Sequence, residues 1–177
     1  ESIPDYNPVV VVACSSAEYG DALNDCHGAA KEELSLLPLH PYGISKVGQD
    51  LLAYQYHVNF QIQAIRARIF NTTGPRKTND VCSDFTKRIV QLEHSGGHNL
   101  QVGNLSTRRA IMDVRDLINA LALLAEKGTP GEVYNICGHT IYSVSEIVDL
   151  IRQFAKIDFS VEVNESLLRP TDEKVIC

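Results

Sequence analysis

The 177-residue sequence predicts an α/β fold with a parallel sheet. Apolar runs of strand length alternate along the chain with amphipathic segments of helix length, the order typical of α/β proteins. The run at residues 9–14 opens with four valines, which is typical of a strand buried on both faces of a parallel sheet. Hydrophobic residues make up 44% of the chain and charged residues 21%, which favours a globular domain with its own core.

The predicted elements begin with the strand at 9–14, which ends at Ser15, and a polar loop at 20–40. Pro41 begins a helix that runs to about residue 56, because proline fits the first helical turn. A strand at 60–70 follows, and then turn chemistry at 71–75. The later predictions are a helix at 83–93, a strand at 99–102, a helix at 117–126 capped by Asp113 and ended by Gly128, a strand at 133–136, a helix from the capping box at 143–146 to about 154, and a strand at 159–163.

Charge and cysteine spacing exclude several classes of partner. The net charge of −6 argues against nucleic-acid binding, which needs a basic face. No apolar run approaches the roughly 20 residues that span a bilayer, and residues 1–5 lack the pattern of a signal peptide. The five cysteines contain no C-x-x-C pair, which excludes a disulfide scaffold and a zinc site. We therefore expect no metal, no membrane and a cytoplasmic location with unpaired thiols.

Two patterns indicate catalytic chemistry. Tyr42 and Lys46 are four residues apart on the predicted helix, so the phenol and the ammonium group share one face. A nearby cation favours the phenolate, which suits Tyr42 to proton transfer. Ser15 follows the buried strand, and ligands of open α/β sheets bind outside the carboxyl ends of the strands. Each pattern alone also fits a bland role: a solvated helix face, or a serine that starts a turn.

Together the patterns resemble the extended short-chain dehydrogenase/reductases, the NAD-dependent epimerase/dehydratase family. The resemblance rests on Ala13-Cys14-Ser15-Ser16-Ala17-Glu18-Tyr19-Gly20 and on His40-Pro41-Tyr42-Gly43-Ile44-Ser45-Lys46. It implies Ser15, Tyr42 and Lys46 as the catalytic residues and NAD or NADP as the cofactor. Tyr42, Lys46 and Thr72 are then the cofactor-binding residues.

Later segments resemble further landmarks of this family in the same order. They are 69–75, 102–105 with Arg109, 113–116, 133–136 and 169–172. The GDP-sugar members, GDP-mannose 4,6-dehydratase and GDP-4-keto-6-deoxymannose reductase, are the most similar. The resemblance implies a sugar-nucleotide substrate. Its contacts would be Ser16, Asn71, Lys87, Arg109 and Arg169, since guanidinium groups suit phosphate oxygens. Because Arg108 is adjacent to Arg109, only one of the two should point inward, and the family position favours Arg109.

Ala17 decides between reduction and elimination. The resemblance places a glutamate of the dehydratases at this position, and alanine has no proton-accepting group. In an extended segment Glu18 would point to the opposite side. The implied function is therefore reduction of a 4-keto sugar nucleotide, GDP-4-keto-6-deoxymannose in the first place. A 4-epimerase, a 4,6-dehydratase and a truncated, non-catalytic sugar-nucleotide-binding module are the alternatives.

The Gly-rich turn that holds a dinucleotide pyrophosphate has no counterpart here, because no G-x-G-x-x-G occurs. We therefore expect the C-terminal part of a Rossmann-like sheet plus a small substrate-binding α/β subdomain, without the N-terminal Gly-rich half. Residues 1–75 would carry Ser15, Tyr42 and Lys46. Residues 76–177 would mainly bind substrate, with some elements returning to the sheet. The resemblance also implies a homodimer for the full-length protein.

Overall fold

The computed structural model describes residues 6–25 and 29–168 and the backbone of 175–176. Within these residues the predicted α/β class is confirmed. The strands are β1 (Val9–Ser15), β2 (Gln63–Ile69), β3 (Asn71–Thr73), β4 (Asn99–Val102), β5 (Arg108–Asp113), β6 (Val133–Ile136), β7 (Ile141–Ser143), β8 (Ser160–Val163) and β9 (Val175–Ile176), and the helices are α1 (Pro41–Phe60), α2 (Val81–Ser95), α3 (Val114–Lys127) and α4 (Val144–Arg152).

The first sheet is parallel and has the order β1-β2-β6. Its register places Ser15 opposite Ile69 and Ile69 opposite Ile136, so the carboxyl ends of the three strands coincide. In the second sheet β5 pairs in parallel with β3 and β9 and antiparallel with β7. Strands β4 and β8 form a separate parallel pair. Ser15 and the start of β3 therefore lie at one edge of the first sheet.

Helices α3 and α1 cover opposite faces of the first sheet. Residues of α3 pack on an apolar cluster that includes Ala67 and Ile69 of β2. Side chains alternate along a strand, so Arg66 and Arg68 point to the other face, where both bond to Asp50 of α1. One face is thus apolar and the other ionic.

The prediction that the first strand is buried on both faces is wrong for its N-terminal end. Val9 and Val10 are 38% and 42% exposed, whereas Cys14 and Ser15 are buried. Within the described residues β1 pairs with β2 on one side only, so it is an outer strand of its sheet.

The structure and the predictions differ most between residues 56 and 73. Helix α1 continues to Phe60 and ends where Gln61 adopts a left-handed conformation (φ 59°), so β2 begins later than predicted. Asn71–Thr73, predicted as turn, forms β3, because pairing with β5 extends the backbone. Strands β5 and β7 were not predicted, since neither has a continuous apolar run.

A second core lies mainly after residue 75. Helices α2 and α4 pack against β4 around Phe85, Ile89, Leu100, Val102, Val144, Val148 and Phe159. Strand β6 and helix α3 also follow residue 75 but belong to the first sheet and its apolar face. The division at residue 75 remains a prediction. None of the described helices has the length and hydropathy that a membrane span requires.

Candidate active site

An open cleft of about 1830 Å³ lies at the carboxyl ends of β1 and β2. This is the edge at which open α/β sheets bind ligands. Most of the site residues predicted from the sequence line it: Ser15, Ser16, Tyr42, Lys46, Asn71, Thr72 and Arg109. Lys87 is exposed on α2 and is not among the lining residues. Arg169 lies outside the described residues.

Ser15 ends β1 and caps a 3₁₀ turn, Ser16–Glu18. Its hydroxyl oxygen accepts a hydrogen bond from the Ala17 amide (3.2 Å), and its own amide donates to Glu18 Oε1 (2.8 Å). The hydroxyl hydrogen is not used by the Ala17 bond, so Ser15 can donate to a ligand oxygen. The segment is a 3₁₀ turn and not the extended strand assumed from the sequence.

The first turn of α1 packs directly on the Ser15 turn. Pro41 is its first residue, and His40 Nδ1 accepts a hydrogen bond from the Gly43 amide (3.2 Å). A Cβ atom at Gly43 would lie 2.5 Å from the Ala17 carbonyl oxygen, so only glycine permits this approach. The close contact brings Tyr42, which is 56% exposed, to the same edge of the cleft as Ser15.

Lys46 lies one turn after Tyr42 and is held by two acceptors. Its Nζ donates to the Ala13 carbonyl oxygen and to Gln49 Oε1, both at 2.8 Å. The same Nζ is 5.8 Å from the centroid of the Tyr42 ring. An ammonium group has three donors, so one remains for a ligand hydroxyl. The four-residue spacing thus places both side chains in the cleft, as the sequence predicts.

Asn71 and Thr72 enter the cleft at the start of β3. The Thr72 hydroxyl donates to the Phe70 carbonyl oxygen (3.2 Å). The Asn71 amide nitrogen is buried and has no hydrogen-bond partner within the part of the chain that the structure describes. An unsatisfied buried donor costs free energy, so this amide is suited to bond with a ligand group.

Several cationic side chains also line the cleft. Arg109 is half-buried there, whereas Arg108 is exposed and outside the lining. On α2 the cleft is lined by Arg88 in place of Lys87. Helical periodicity could have identified Arg88, since it lies between the buried Phe85 and Ile89 on the inner flank of α2. Arg76 and Lys77, also missed, line the cleft too.

A buried ionic cluster below Ser15 was not predicted. Arg68 Nε donates to Asp50 Oδ2 (2.9 Å) and lies 3.3 Å from Glu18 Oε2, and Arg66 bonds to Asp50 Oδ1 (2.8 Å). Burial alone would raise the pKa of Asp50, but the hydrogen bonds from Arg68 and Arg66 outweigh it and lower that pKa. Burial raises the pKa of Glu18 to about 7.

Cys14, Glu18 and Asp50 place potential metal-ligand atoms within 4.8 Å of one another. Arg68 already pairs with both carboxylates, and its charge repels a second cation. Burial raises the pKa of the Cys14 thiol to about 12, which disfavours the thiolate that binds metals. The group therefore suits an arginine better than a metal ion.

Comparisons with known proteins agree with this fold. A sequence profile of the family described as GDP-mannose 4,6 dehydratase matches residues 5–175. The chain belongs to this family. Its resemblance to the extended short-chain dehydrogenase/reductases is thereby confirmed, and the family comprises NAD(P)-dependent enzymes that process sugar nucleotides.

Three similar proteins illustrate the range of enzymes that this chain resembles. The GDP-6-deoxy-D-mannose reductase of Pseudomonas aeruginosa is 26% identical over 145 residues, which cover 81% of this chain and 48% of the relative. The dTDP-glucose 4,6-dehydratase of Streptomyces griseus is 31% identical over 140 residues, covering 78% and 42%. The structure of RMD from Pseudomonas aeruginosa complexed with NADPH superimposes with a TM-score of 0.86 at 24% identity, covering 97% and 57%. The chain thus spans about half the length of these relatives.

Proposed function

We propose that this chain is the substrate-holding part of an NAD(P)-dependent enzyme that reduces a 4-keto sugar nucleotide, GDP-4-keto-6-deoxymannose in the first place. One observation carries the proposal: Ser15, Tyr42 and Lys46 line a single cleft, and Ala17, which has no proton-accepting group, lines it beside Ser15. A relative named GDP-6-deoxy-D-mannose reductase supports the choice of substrate class.

In this proposal the residues act on one sugar oxygen. The cofactor supplies a hydride to the keto carbon when it is bound. The Tyr42 phenol donates a proton to the keto oxygen, and the Ser15 hydroxyl donates a hydrogen bond to it. The Lys46 ammonium group lies beside the Tyr42 ring, where its charge stabilises the negative charge left on the phenol oxygen. Its remaining donor, together with Thr72, would hold the nicotinamide end of the cofactor.

The side chains beside Ser15 favour reduction over elimination. Elimination of water needs a base next to the sugar, and Ala17 offers none. Glu18 does not replace it, because its side chain is fully buried and is not among the cleft-lining residues. The nearest carboxylate of this turn therefore faces Arg68 and not the cleft.

The rest of the nucleotide would occupy the cationic side of the cleft. Guanidinium groups bind diphosphate oxygens well, which favours Arg109 as a contact. Arg88 would be a second contact once the phosphate replaces its present partner Asp84 (2.6 Å). Asn71 would bond to the sugar, with Ser16 beside it. Arg169 is retained in the proposal from the sequence, whereas the exposure of Lys87 favours Arg88 in its place.

The assembly and the compartment are also proposals. Helix α1 exposes large apolar side chains, among them Leu51, Leu52 and Phe60, and a second copy in a homodimer would cover them. Cys14 and Cys82 form no disulfide among the described residues, which fits the reducing cytoplasm. Neither membrane nor nucleic acid enters the proposal. One solved relative is complexed with NADPH and another with NAD, so the proposal names NAD or NADP as the cofactor.

Calorimetry tests the substrate-holding role on the chain itself. We expect GDP-mannose to bind and NADPH not to bind detectably. Absence of GDP-mannose binding would contradict the proposal for this chain.

The activity is tested on the complete polypeptide with GDP-4-keto-6-deoxymannose and NADPH, with Tyr42→Phe as the inactive control. NADPH oxidation supports the reductase. Release of water from GDP-mannose would identify a dehydratase, and inversion at C4 without net NADPH consumption an epimerase. Sugar-nucleotide binding without turnover would identify a binding module.

A further inference from the structure

Glu18 is fully buried directly below Ser15, yet the proposed chemistry does not use it. Burying a carboxyl group is costly unless hydrogen bonds or an opposite charge compensate. Its bonding partners therefore indicate what this side chain does.

Glu18 connects the Ser15 turn to helix α1. One oxygen, Oε1, accepts the Ser15 amide hydrogen (2.8 Å), and the other, Oε2, lies 3.3 Å from Arg68 Nε. Arg68 in turn donates to Asp50, which lies eight residues, about two turns, after Tyr42 on α1. The chain of contacts Glu18–Arg68–Asp50 thus links the two segments that carry Ser15 and Tyr42.

The charges around Glu18 leave its carboxyl group able to hold a proton. The groups that face it are Cys14 from β1, Asp50 from α1 and Arg68 from β2, with Tyr19 of the same turn bonded to Arg68. Arg68 serves two carboxylates, and Asp50 has a second partner in Arg66. Within the described residues Glu18 Oε2 accepts no hydrogen bond. A proton on this oxygen would make it a donor towards Asp50.

We propose that Glu18 is a positioning residue of the cleft: its carboxyl group holds the Ser15 turn against α1, so that the Ser15 hydroxyl and the Tyr42 phenol face the same sugar oxygen. The inference rests on the proposed function, because the sugar oxygen is the group positioned. It also predicts a pH signature at Ser15. Ionised Glu18 is a stronger acceptor, so the Ser15 amide proton should move downfield as Glu18 loses its proton near neutral pH.

The test compares binding of GDP-mannose with binding of GDP by calorimetry. Glu18→Leu removes the acceptor of the Ser15 amide, and Glu18→Gln keeps a neutral acceptor of the same size. Glu32→Leu is the matched control, since Glu32 bonds to the Asn135 amide in the same network and not to the Ser15 turn. We expect Glu18→Leu to lower the affinity for GDP-mannose about fivefold relative to GDP. Glu18→Gln should restore the ratio, and Glu32→Leu should retain it.

An unchanged ratio in Glu18→Leu, or an equal loss in Glu32→Leu, would overturn the inference. If the wild-type chain binds GDP-mannose no better than GDP, the proposed sugar contact fails. The role of Glu18 is then decided by nuclear magnetic resonance of the Ser15 amide in the wild-type chain and Glu18→Gln. The same measurement also replaces the calorimetric test in the case that Glu18→Leu does not fold. A Ser15 resonance that titrates near neutral pH in the wild type and not in Glu18→Gln supports the inference. A Ser15 amide that is protected from solvent exchange but does not titrate also supports it, with Glu18 in one charge state throughout. A Ser15 amide that exchanges with solvent as fast as an unbonded amide overturns it, because Glu18 then does not accept its hydrogen.

Discussion

Helices α3 and α1 cover the two faces of the same three-stranded sheet with different chemistry. On the α3 face, Leu117, Leu121 and Leu124 pack on apolar side chains of β1, β2 and β6. On the α1 face, Asp50 bonds to two arginines of β2. Apolar packing depends little on direction, whereas an ion pair with hydrogen bonds has a defined geometry.

The difference coincides with the position of the cleft. Contacts among Glu18, Arg68 and Asp50 connect the Ser15 turn to α1, the helix that carries Tyr42 and Lys46. Lys46 also bonds to the Ala13 carbonyl oxygen of β1. A directional network below the site fixes how α1 lies relative to the end of β1. The apolar face has no such task, and no predicted catalytic residue belongs to it. Four substitutions test this contrast.

Asp50→Ala should have the largest effect on stability. It leaves Arg66 and Arg68 without their shared carboxylate in a buried site, and breaking such a pair costs about 3–5 kcal/mol of the free energy of unfolding. Denaturant unfolding measures the loss. Asp116→Ala, on the exposed surface of α3, is the control and should change stability little. An equally small loss of unfolding free energy in both variants would show that the buried ionic cluster does not stabilise the fold.

Gly43→Ala should separate α1 from the Ser15 turn. The added methyl group meets the Ala17 carbonyl oxygen at 2.5 Å, and overpacking of this kind costs about 1–3 kcal/mol. Gly48→Ala in the same helix is the matched control, because its Cβ meets nothing within 4 Å and alanine favours the helix. Gly43→Ala should lower both the melting temperature and the affinity for GDP-mannose. Equal stability and affinity of Gly43→Ala and Gly48→Ala would contradict the close approach of Gly43 to the Ala17 carbonyl oxygen.

Glu18→Gln should change how stability depends on pH. The ordinary pKa of glutamate, 4.5, is raised to about 7 in the folded chain, so between these values the folded state binds more protons than the unfolded state. Wild-type stability therefore falls as pH rises through this window. The variant does not ionise and should gain about 3 kcal/mol relative to the wild type as the pH rises from 4.5 to 7. Parallel pH profiles of the two proteins would show that Glu18 does not titrate there.

Leu121→Ala should have the smallest effect and no dependence on pH. The side chain is half-buried in the apolar cluster, so its truncation costs about 1 kcal/mol. Denaturant unfolding at pH 5 and pH 8 should give the same loss. A loss that varied with pH would mean that the two faces are coupled more closely than the contacts indicate.

Local sequence signals predicted most elements because each acts over a few residues. The capping box at Ser143 and Glu146 begins α4, and Asp113 caps α3. The spacing of Tyr42 and Lys46 on one helix, and the position of Ser15 at a strand end, sufficed to predict three residues of one cleft. The signals failed at β3, β5 and β7, whose short strands form through pairing with distant segments.

The sequence by itself determined the α/β class, the family resemblance and the residues predicted to be catalytic, since these depend on residue type and local spacing. Only the tertiary structure decided which cation of α2 enters the cleft, where Glu18 points and why Gly43 is required. These depend on which side chains meet across long stretches of sequence, as Ala17 meets Gly43 and Asp50 meets Arg68. Burial then raises the pKa of Glu18 to about 7, because the surrounding packing controls how much solvent and opposite charge reach its carboxyl group.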